Sequence, residues 1–391
     1  MLRFNVTGLC VPSMNYMVDI SGKLNKIIAL IDDGSYFTIN RARQYGKTTT
    51  LSMIQKTLSK EYICSRISFE GLGDESFATP AVFCRVFMEL VQDSLKFTDV
   101  SESYRKEWFD ESVASFIQLS RHITKMCRDK KLVLMIDEVD KSSNNNIYLH
   151  FLGILREKFL SRQDGMDFTF HSVILAGVYD IKNIKLRMIR DGSYAPAVAE
   201  TKIYNSPWNI AVDFDVDMSF NPSEIATMLL QYEDDYDYGM DITSISNEIY
   251  YYTGGYPYLV SRICKHIDEK LNREWTLAGV RNAVEIVIKE ENVLFDDLFK
   301  NLENDDKLYD LIYDVLITGR QRMYSIGNPT VKTAAMYGLI DEAETGIAIS
   351  NKIFELVICN YFISKDEELN RKRITGVLQY DVVNNGFETA Y

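Results

Sequence analysis

Asn40-Arg41-Ala42-Arg43-Gln44-Tyr45-Gly46-Lys47-Thr48-Thr49 is the stretch on which the reading of this chain turns. On its N-terminal side, Tyr36 to Asn40 (YFTIN) is a short β-prone run. On its C-terminal side, Lys47 to Tyr62 carries Leu51, Ile54 and Leu58 at helical spacing. The order is therefore strand, polar glycine-containing loop, helix. A helix that opens directly after such a loop points unsatisfied backbone N–H groups at whatever anion sits there. Lys47 then stands where an ammonium reaches β and γ phosphates, and Thr48 where a hydroxyl reaches Mg²⁺. Gly46, Lys47 and Thr48 supply the second half of the GxxxxGK[ST] pattern, but its first glycine would fall at position 41, which is Arg. A polar turn with Lys and Thr at a helix start is the competing reading of this stretch.

A second stretch reinforces the first. Lys131-Leu132-Val133-Leu134-Met135-Ile136-Asp137-Glu138 is a wholly apolar run that ends in two carboxylates. A strand apolar on both faces belongs inside a parallel sheet covered by helices. At its end, Asp137 is placed to hold the shell of a Mg²⁺ ion, and Glu138 to orient or deprotonate an attacking water. Asp140 follows closely, so carboxylates capping a strand end by chance are the alternative.

Outward from these motifs, strand and helix alternate. Residues 20–33 place Leu24, Ile27, Ile28 and Ile31 on one helical face before Gly34. Ile67 to Glu70 offers a second strand, 80–97 and 104–128 read as long helices, 147–160 has a helical period, and Phe168 to Ala176 is again β-rich. From about 220 the pattern is almost wholly helical. The segment 320–364 differs again: a turn at Gly327-Asn328-Pro329, a helix toward Tyr337, a short turn-separated pair of β-prone runs, and a helix from Asn351 to Phe362. Helices followed by a small hairpin suggest a winged helix. The expected organisation is an α/β domain over 1–220, a helical lid over 221–304, a winged-helix-like domain over 305–364 and a polar tail over 365–391.

The chain has 391 residues, 46% apolar and 25% charged, which fits a soluble globular protein of two or three domains and excludes disordered and collagen-like classes. Its formal net charge of −13 opposes non-specific binding to nucleic acid. Over 305–365, six Lys and Arg stand against eight Asp and Glu, so the basic footprint of a duplex reader is missing there too. The six cysteines show no CxxC pair and the four histidines no metal-ligand spacing, which points to reduced thiols in a cytoplasm and no transition-metal site. No apolar run approaches the ~20 residues of a membrane span, and none near the N-terminus is long enough for a signal core.

Beyond these residue-level readings, the chain resembles the bacterial AAA-ATPase-like proteins, P-loop ATPases related to the archaeal-type and STAND groups. The resemblance rests on Phe4-Asn5-Val6-Thr7-Gly8, Tyr16-Met17-Val18-Asp19 and Tyr36 through Thr49, where Arg in place of the first glycine is usual. It continues through Ser172 to Val178, Ser206-Pro207-Trp208-Asn209-Ile210-Ala211, Thr253-Gly254-Gly255-Tyr256-Pro257-Tyr258, Tyr337-Gly338-Leu339-Ile340 and Ile349 to Phe354, covering about residues 4–364. It implies a P-loop NTPase parallel sheet with a helical lid and a C-terminal winged helix, binding ATP with Mg²⁺. On the matching positions, Arg43, Gln44, Tyr45, Gly46, Lys47, Thr48, Thr49 and Asp137 would bind nucleotide, Thr48 and Asp137 would hold Mg²⁺, and Lys47 with Glu138 would serve catalysis.

Gly254, Gly255 and Pro257 match the Gly-Gly-x-Pro element with which the lids of such ATPases report nucleotide state, although a helix stop and restart explains the same residues. Arg262 would face the nucleotide if that lid geometry holds, and Arg156, Arg162, Arg187 and Arg190 are candidate arginine fingers beside the plainer reading of surface salt bridges. Two departures stand out. The strand ending Ala176-Gly177 carries no Ser, Thr or Asn where relatives often sense the γ-phosphate, so slow hydrolysis is expected. Many members continue into a nuclease-like domain, which the 27 residues after residue 364 are not expected to accommodate. The implied function is an ATP-binding regulatory ATPase that couples nucleotide state to domain rearrangement and to control of a protein partner, with self-association compatible and neither membrane nor nucleic acid expected. A non-hydrolysing nucleotide-dependent scaffold and a DNA-associated ATPase resembling origin-recognition proteins are the alternatives.

Overall fold

A computed structural model describes residues 2–139, 146–178, 208–325, 327–369, 378–381 and 386–389. By contacts the chain divides into two compact units: an α/β unit of Ser21–Arg41 and Lys47–Asp217, and a helical unit of Met1–Ile20, Ala42–Gly46 and Met218–Tyr391.

In the α/β unit, α1 (Ser21–Asp32) leads into β1 (Tyr36–Asn40), and α2 (Lys47–Leu58) into β2 (Ile63–Ser68). Next come α3 (Pro80–Ser94), α4 (Glu102–Glu107), α5 (Phe116–Cys127), β3 (Leu132–Asp137), α6 (Asn146–Gln163) and β4 (Ser172–Gly177). The four strands form a parallel sheet in the order β1-β4-β3-β2. Every residue of β3 and β4 is buried, as a strand covered on both faces requires. Tyr36, Leu132, Leu134, Ile136, Val173 and Leu175 share one face, in a single core with the Phe83, Phe87 and Phe151 rings of α3 and α6.

The helix expected over 104–128 is two helices. Trp108 is wholly buried in the break, its ring stacked on Phe170 and its carbonyl hydrogen-bonded to His122 Nε2 at 3.1 Å. Asp110 Oδ1 then accepts from the Ser112 amide at 2.9 Å, and the Ser115 hydroxyl caps the N-terminus of α5. A tertiary anchor followed by local side-chain turns thus outcompetes helical propensity.

The helical unit contains α7 (Pro222–Tyr236), α8 (Ile242–Thr253), α9 (Pro257–Glu269), α10 (Leu277–Lys289), α11 (Val293–Glu303) and α12 (Asp306–Tyr313). Asn221 and Glu224 form a reciprocal capping box at the start of α7. The N-terminal strap is fastened to α7: Tyr16 donates to Asp235 at 2.8 Å, Gln231 brackets Met17 with two hydrogen bonds, and Phe4 and Tyr16 pack on Tyr232. After α12 a five-residue π-turn (Asp314–Thr318) ends at left-handed Gly319. Then follow α13 (Pro329–Met336), an antiparallel hairpin of β5 (Ile340–Ala343) and β6 (Gly346–Ile349), and α14 (Lys352–Leu369). The last helix outruns the expected end at Phe362 by seven residues. Within the segment read as a polar tail, β7 (Leu378–Asp381) and β8 (Gly386–Thr389) pair as a second antiparallel hairpin.

Among the described residues, five of the six cysteines are buried and all are free thiols, and no helix is long and apolar enough to cross a membrane.

Candidate functional site

The C-terminal edge of a parallel sheet is where open α/β folds place ligands, and the sequence-predicted residues of the α/β unit meet there. Lys47 opens α2, is almost fully buried, and donates from Nζ to the Arg41 carbonyl at 2.9 Å. The ammonium is thus folded back over the loop that precedes its own helix. One residue on, the Thr48 hydroxyl donates to Asp137 Oδ2 at 2.7 Å, joining the start of α2 to the end of β3 across 89 residues of sequence. Asp137 is buried, and its other oxygen accepts from the Glu138 amide at 3.0 Å. One hydroxyl and one buried carboxylate make a hard-oxygen pair that suits Mg²⁺, an ion that takes few protein ligands and leaves the rest to phosphate and water. Among the described residues no group of three or more His, Cys, Asp or Glu converges as a metal site, so this donor pair is the fitting one.

Glu138 is half-buried and lies in the left-handed region with φ 55°. For a residue with a long side chain that conformation is strained by about 1–3 kcal/mol and tends to occur at working sites. It turns the chain out of β3 immediately after Asp137. Thr49 follows Thr48 on α2 and is half-buried.

Arg43, Gln44, Tyr45 and Gly46 belong by contacts to the helical unit. Gly46 has φ +76° and Gln44 φ 57°, so the loop makes two left-handed turns, and the first is held without glycine. The Tyr256 hydroxyl donates to the Arg43 carbonyl, and its ring meets Tyr45 edge-on at 4.6 Å. Burial pushes the Tyr256 phenol far above its ordinary range, so it remains a donor. Arg43 Nη1 pairs with Asp297 Oδ2 at 3.0 Å, and a Cβ on left-handed Gly338 would lie 3.5 Å from the Ala42 methyl.

Gly254 and Gly255 both have positive φ, 55° and 74°, where α8 stops and α9 starts. A Cβ on Gly255 would fall 1.9 Å from the Phe220 carbonyl oxygen, and one on Gly254 would fall 2.6 Å from that of Ser350. The helix-break reading of TGGYP is therefore correct and incomplete: the glycines also let Phe220 and Ser350 approach, and Tyr256 between them and Pro257 reaches the loop.

Arg262 forms a bidentate pair with Glu290 at 2.6 and 2.7 Å, and His266 Nε2 lies 3.1 Å from the same carboxylate. Burial raises the Glu290 pKa, but the Arg262 bonds and charge outweigh it and hold the carboxyl below its usual range. Of the candidate fingers, Arg162 is committed to the Phe170, His171 and Gly34 carbonyls at the N-terminal edge of the sheet, and Arg156 donates to Asn209 at 2.7 Å. Arg187, Arg190, Asp140 and the Ser206-Pro207 pair lie outside the described residues.

The sequence reading gave no role to four residues: in the α/β unit Arg41, whose carbonyl accepts from Lys47, and Asn40, at the end of β1; in the helical unit Tyr256 and Asp297, which hold Arg43. Asn40 carried a legible signal as the polar end of a β-prone run. Asp297 carried none, being 254 residues from Arg43.

Among solved structures, a Walker-type ATPase of Pyrococcus abyssi superposes with a TM-score of 0.61 at 10% identity, covering 91% of this chain and 99% of that one. The likeness supports the P-loop α/β fold. The Cdc6p protein of Pyrobaculum aerophilum matches at 13% identity and a TM-score of 0.40 over 93% of this chain and 97% of its own. No curated protein matches the chain. The model of the AAA-like domain family, in contrast, matches residues 11–362, nearly the whole chain. This protein belongs to the AAA-like domain family.

Proposed function

We propose that this chain is a regulatory ATPase that binds MgATP, hydrolyses it slowly, and converts nucleotide state into a rearrangement of its helical lid and a winged-helix-like output. The observation that carries the reading is the Thr48 to Asp137 hydrogen bond, which pairs the two residue types that share a nucleotide-bound Mg²⁺. In the proposed complex, Lys47 exchanges the Arg41 carbonyl for β- and γ-phosphate oxygens. The loop from Arg43 to Thr49 lends backbone N–H groups, and Thr48 and Asp137 hold the ion. When bound, Mg²⁺ neutralises charge on the β and γ phosphates. Glu138 takes a proton from the attacking water.

Three contacts inside the helical unit support coupling to an output. Tyr256 of the TGGYP element holds the Arg43 carbonyl, Gly338 abuts Ala42, and Gly254 abuts Ser350 ahead of α14. The loop, the lid and the segment proposed as a winged helix thus touch one another within a few residues. A protein partner is favoured over duplex DNA because, of Arg320, Arg322 and Lys332, the residues close enough in sequence to form a basic edge, Arg320 and Arg322 are both paired with Asp314. Self-association and a cytoplasmic setting belong to the same proposal.

Thermal melting with and without MgATP, run beside phosphate release with and without DNA, tests the reading. Saturation at about 100 times Kd stabilises a native state by about 2.7 kcal/mol when only that state binds. Lys47→Ala is expected to lose most of this gain. Glu138→Gln is expected to keep it and to lose turnover by about 10²–10⁴-fold. An equal shift in wild type and Lys47→Ala removes the central claim. Tight, salt-sensitive DNA binding would favour the origin-recognition alternative.

A further inference from the structure

The end of β4 has no polar side chain to place a nucleophilic water, and the sheet order shows which neighbour stands beside that gap. β1 is hydrogen-bonded to β4, and Asn40 is the Cα partner of Gly177. On the other side of β4, Ile136 of β3 partners Leu175. β3 ends at Asp137, and Glu138 leaves the strand there with φ 55°. Asn40 and Gly177 thus stand side by side at the C-terminal edge, and the turn that carries Glu138 begins at that edge on the other side of β4. The space over Gly177, which has no side chain, is open to the Asn40 side chain next to it.

The state of Asn40 points the same way. Its carboxamide Oδ1 is buried and has no hydrogen-bond partner. A buried acceptor left unmatched is costly and calls for an explanation, of which an absent water or a catalytic role are the usual ones. Residues that share its side of β1 are satisfied within the fold: Thr38 accepts from Trp208 Nε1 at 2.9 Å, and Tyr36 donates to the Phe170 carbonyl at 3.1 Å. Asn40 breaks this pattern at the edge that faces the site.

We propose that Asn40 supplies, from β1, the water-orienting group that β4 lacks. The inference rests on the hydrolysis reading above. A water has two O–H bonds to direct, and the edge of the sheet offers two acceptors for them, the Glu138 carboxylate at the turn after β3 and Asn40 Oδ1 at the end of β1. As the water oxygen bonds to the γ-phosphorus, the bond from that phosphorus to the bridging oxygen breaks and its electron pair leaves with ADP. One water proton passes to Glu138. The other stays on what becomes inorganic phosphate, its O–H held toward Asn40 until the bond has formed. The residue fixes the direction of attack and contributes little to ground-state affinity.

Asn40→Ala tests this by separating turnover from binding. The expected result is a fall in kcat of at least about ten-fold, a Kd for ATP within about two-fold of wild type, and loss of the stabilised complex of MgADP with aluminium fluoride, followed by melting temperature. Asn40→Ser, which keeps a short acceptor, is expected to recover part of both kcat and the fluoride complex, and it carries the comparison if the alanine variant folds poorly. Wild-type turnover and fluoride trapping in Asn40→Ala overturn the assignment, as does a parallel loss of ATP binding and turnover in both variants, which marks a structural role. A wild type that binds MgATP and releases no phosphate rejects the hydrolysis reading, and this inference with it.

Discussion

Gly255→Ala, measured against Gly46→Ala, separates two reasons for keeping a glycine. Both residues sit at nearly the same positive φ, 74° and 76°. An alanine at either position pays a left-handed penalty of about 1–2 kcal/mol. At Gly46 that is the whole effect, because a Cβ there meets nothing within 4 Å. At Gly255 the Cβ would lie 1.9 Å from the Phe220 carbonyl oxygen, far inside contact, and backbone must move. The same approach carries a hydrogen bond from the Phe220 amide to the Gly255 carbonyl at 2.8 Å, worth about 0.5–1.5 kcal/mol. Overpacking adds about 1–3 kcal/mol. The sum for Gly255→Ala is about 2.5–6.5 kcal/mol against about 1–2 for Gly46→Ala. In a cooperative unit of roughly 200 residues each kcal/mol moves Tm by about 2–4 °C, so the two variants should melt several degrees apart. Melting without nucleotide, by circular dichroism at matched concentration, is the assay. Equal losses in the two variants would refute the reasoning, because they would mean that backbone conformation alone, and not the approach of Phe220, requires glycine at 255.

Tyr256→Phe keeps the ring contact with Tyr45 and removes the donor to the Arg43 carbonyl. It should cost about 1–2 kcal/mol of stability and weaken the MgATP-dependent shift in melting, and an unchanged shift would show that this hydroxyl plays no part in holding the loop. Glu290→Gln should destabilise the helical unit at neutral pH by about 1–3 kcal/mol by stripping Arg262 of its bidentate partner. The native Glu290 pKa is depressed, so the wild-type advantage is present above the unfolded value of about 4.3 and disappears as pH falls through the native one. Urea midpoints of the two proteins should therefore converge on acidification, and a gap independent of pH would refute the pairing as its source. His266, whose pKa is lowered by burial, acts in the same direction: its contribution is present above about pH 6.5 and declines below it.

Local pattern determined a large part of this protein. The five residues YFTIN, the loop, and a helix with Leu51, Ile54 and Leu58 are a contiguous strand-loop-helix unit, and the run ending in Asp137 is apolar on both faces. Those signals specify buried parallel strands and the loop between them before any partner is known. The positions of Lys47 and Thr48 at the start of α2 and of Asp137 and Glu138 at the end of β3 were legible for the same reason, each being fixed by its distance along the chain from an element end. The helical half was legible from its 3.6-residue period and its Gly, Pro and Asn boundaries.

Tertiary structure decided what lies side by side. The order β1-β4-β3-β2 puts Asn40 next to Gly177, a neighbour 137 positions away that no local window contains. Burial of Trp108 broke a helix that the period alone extended. Arg43 found Asp297, and Tyr256 found the Arg43 carbonyl, because packing of the helical unit brings them within hydrogen-bond reach. Periodicity and capping act over one or two turns of chain, so they set the elements and their faces. Register, crossover and the satisfaction of buried polar groups are set by contacts between distant segments, and only those contacts decide which of the candidate residues come together.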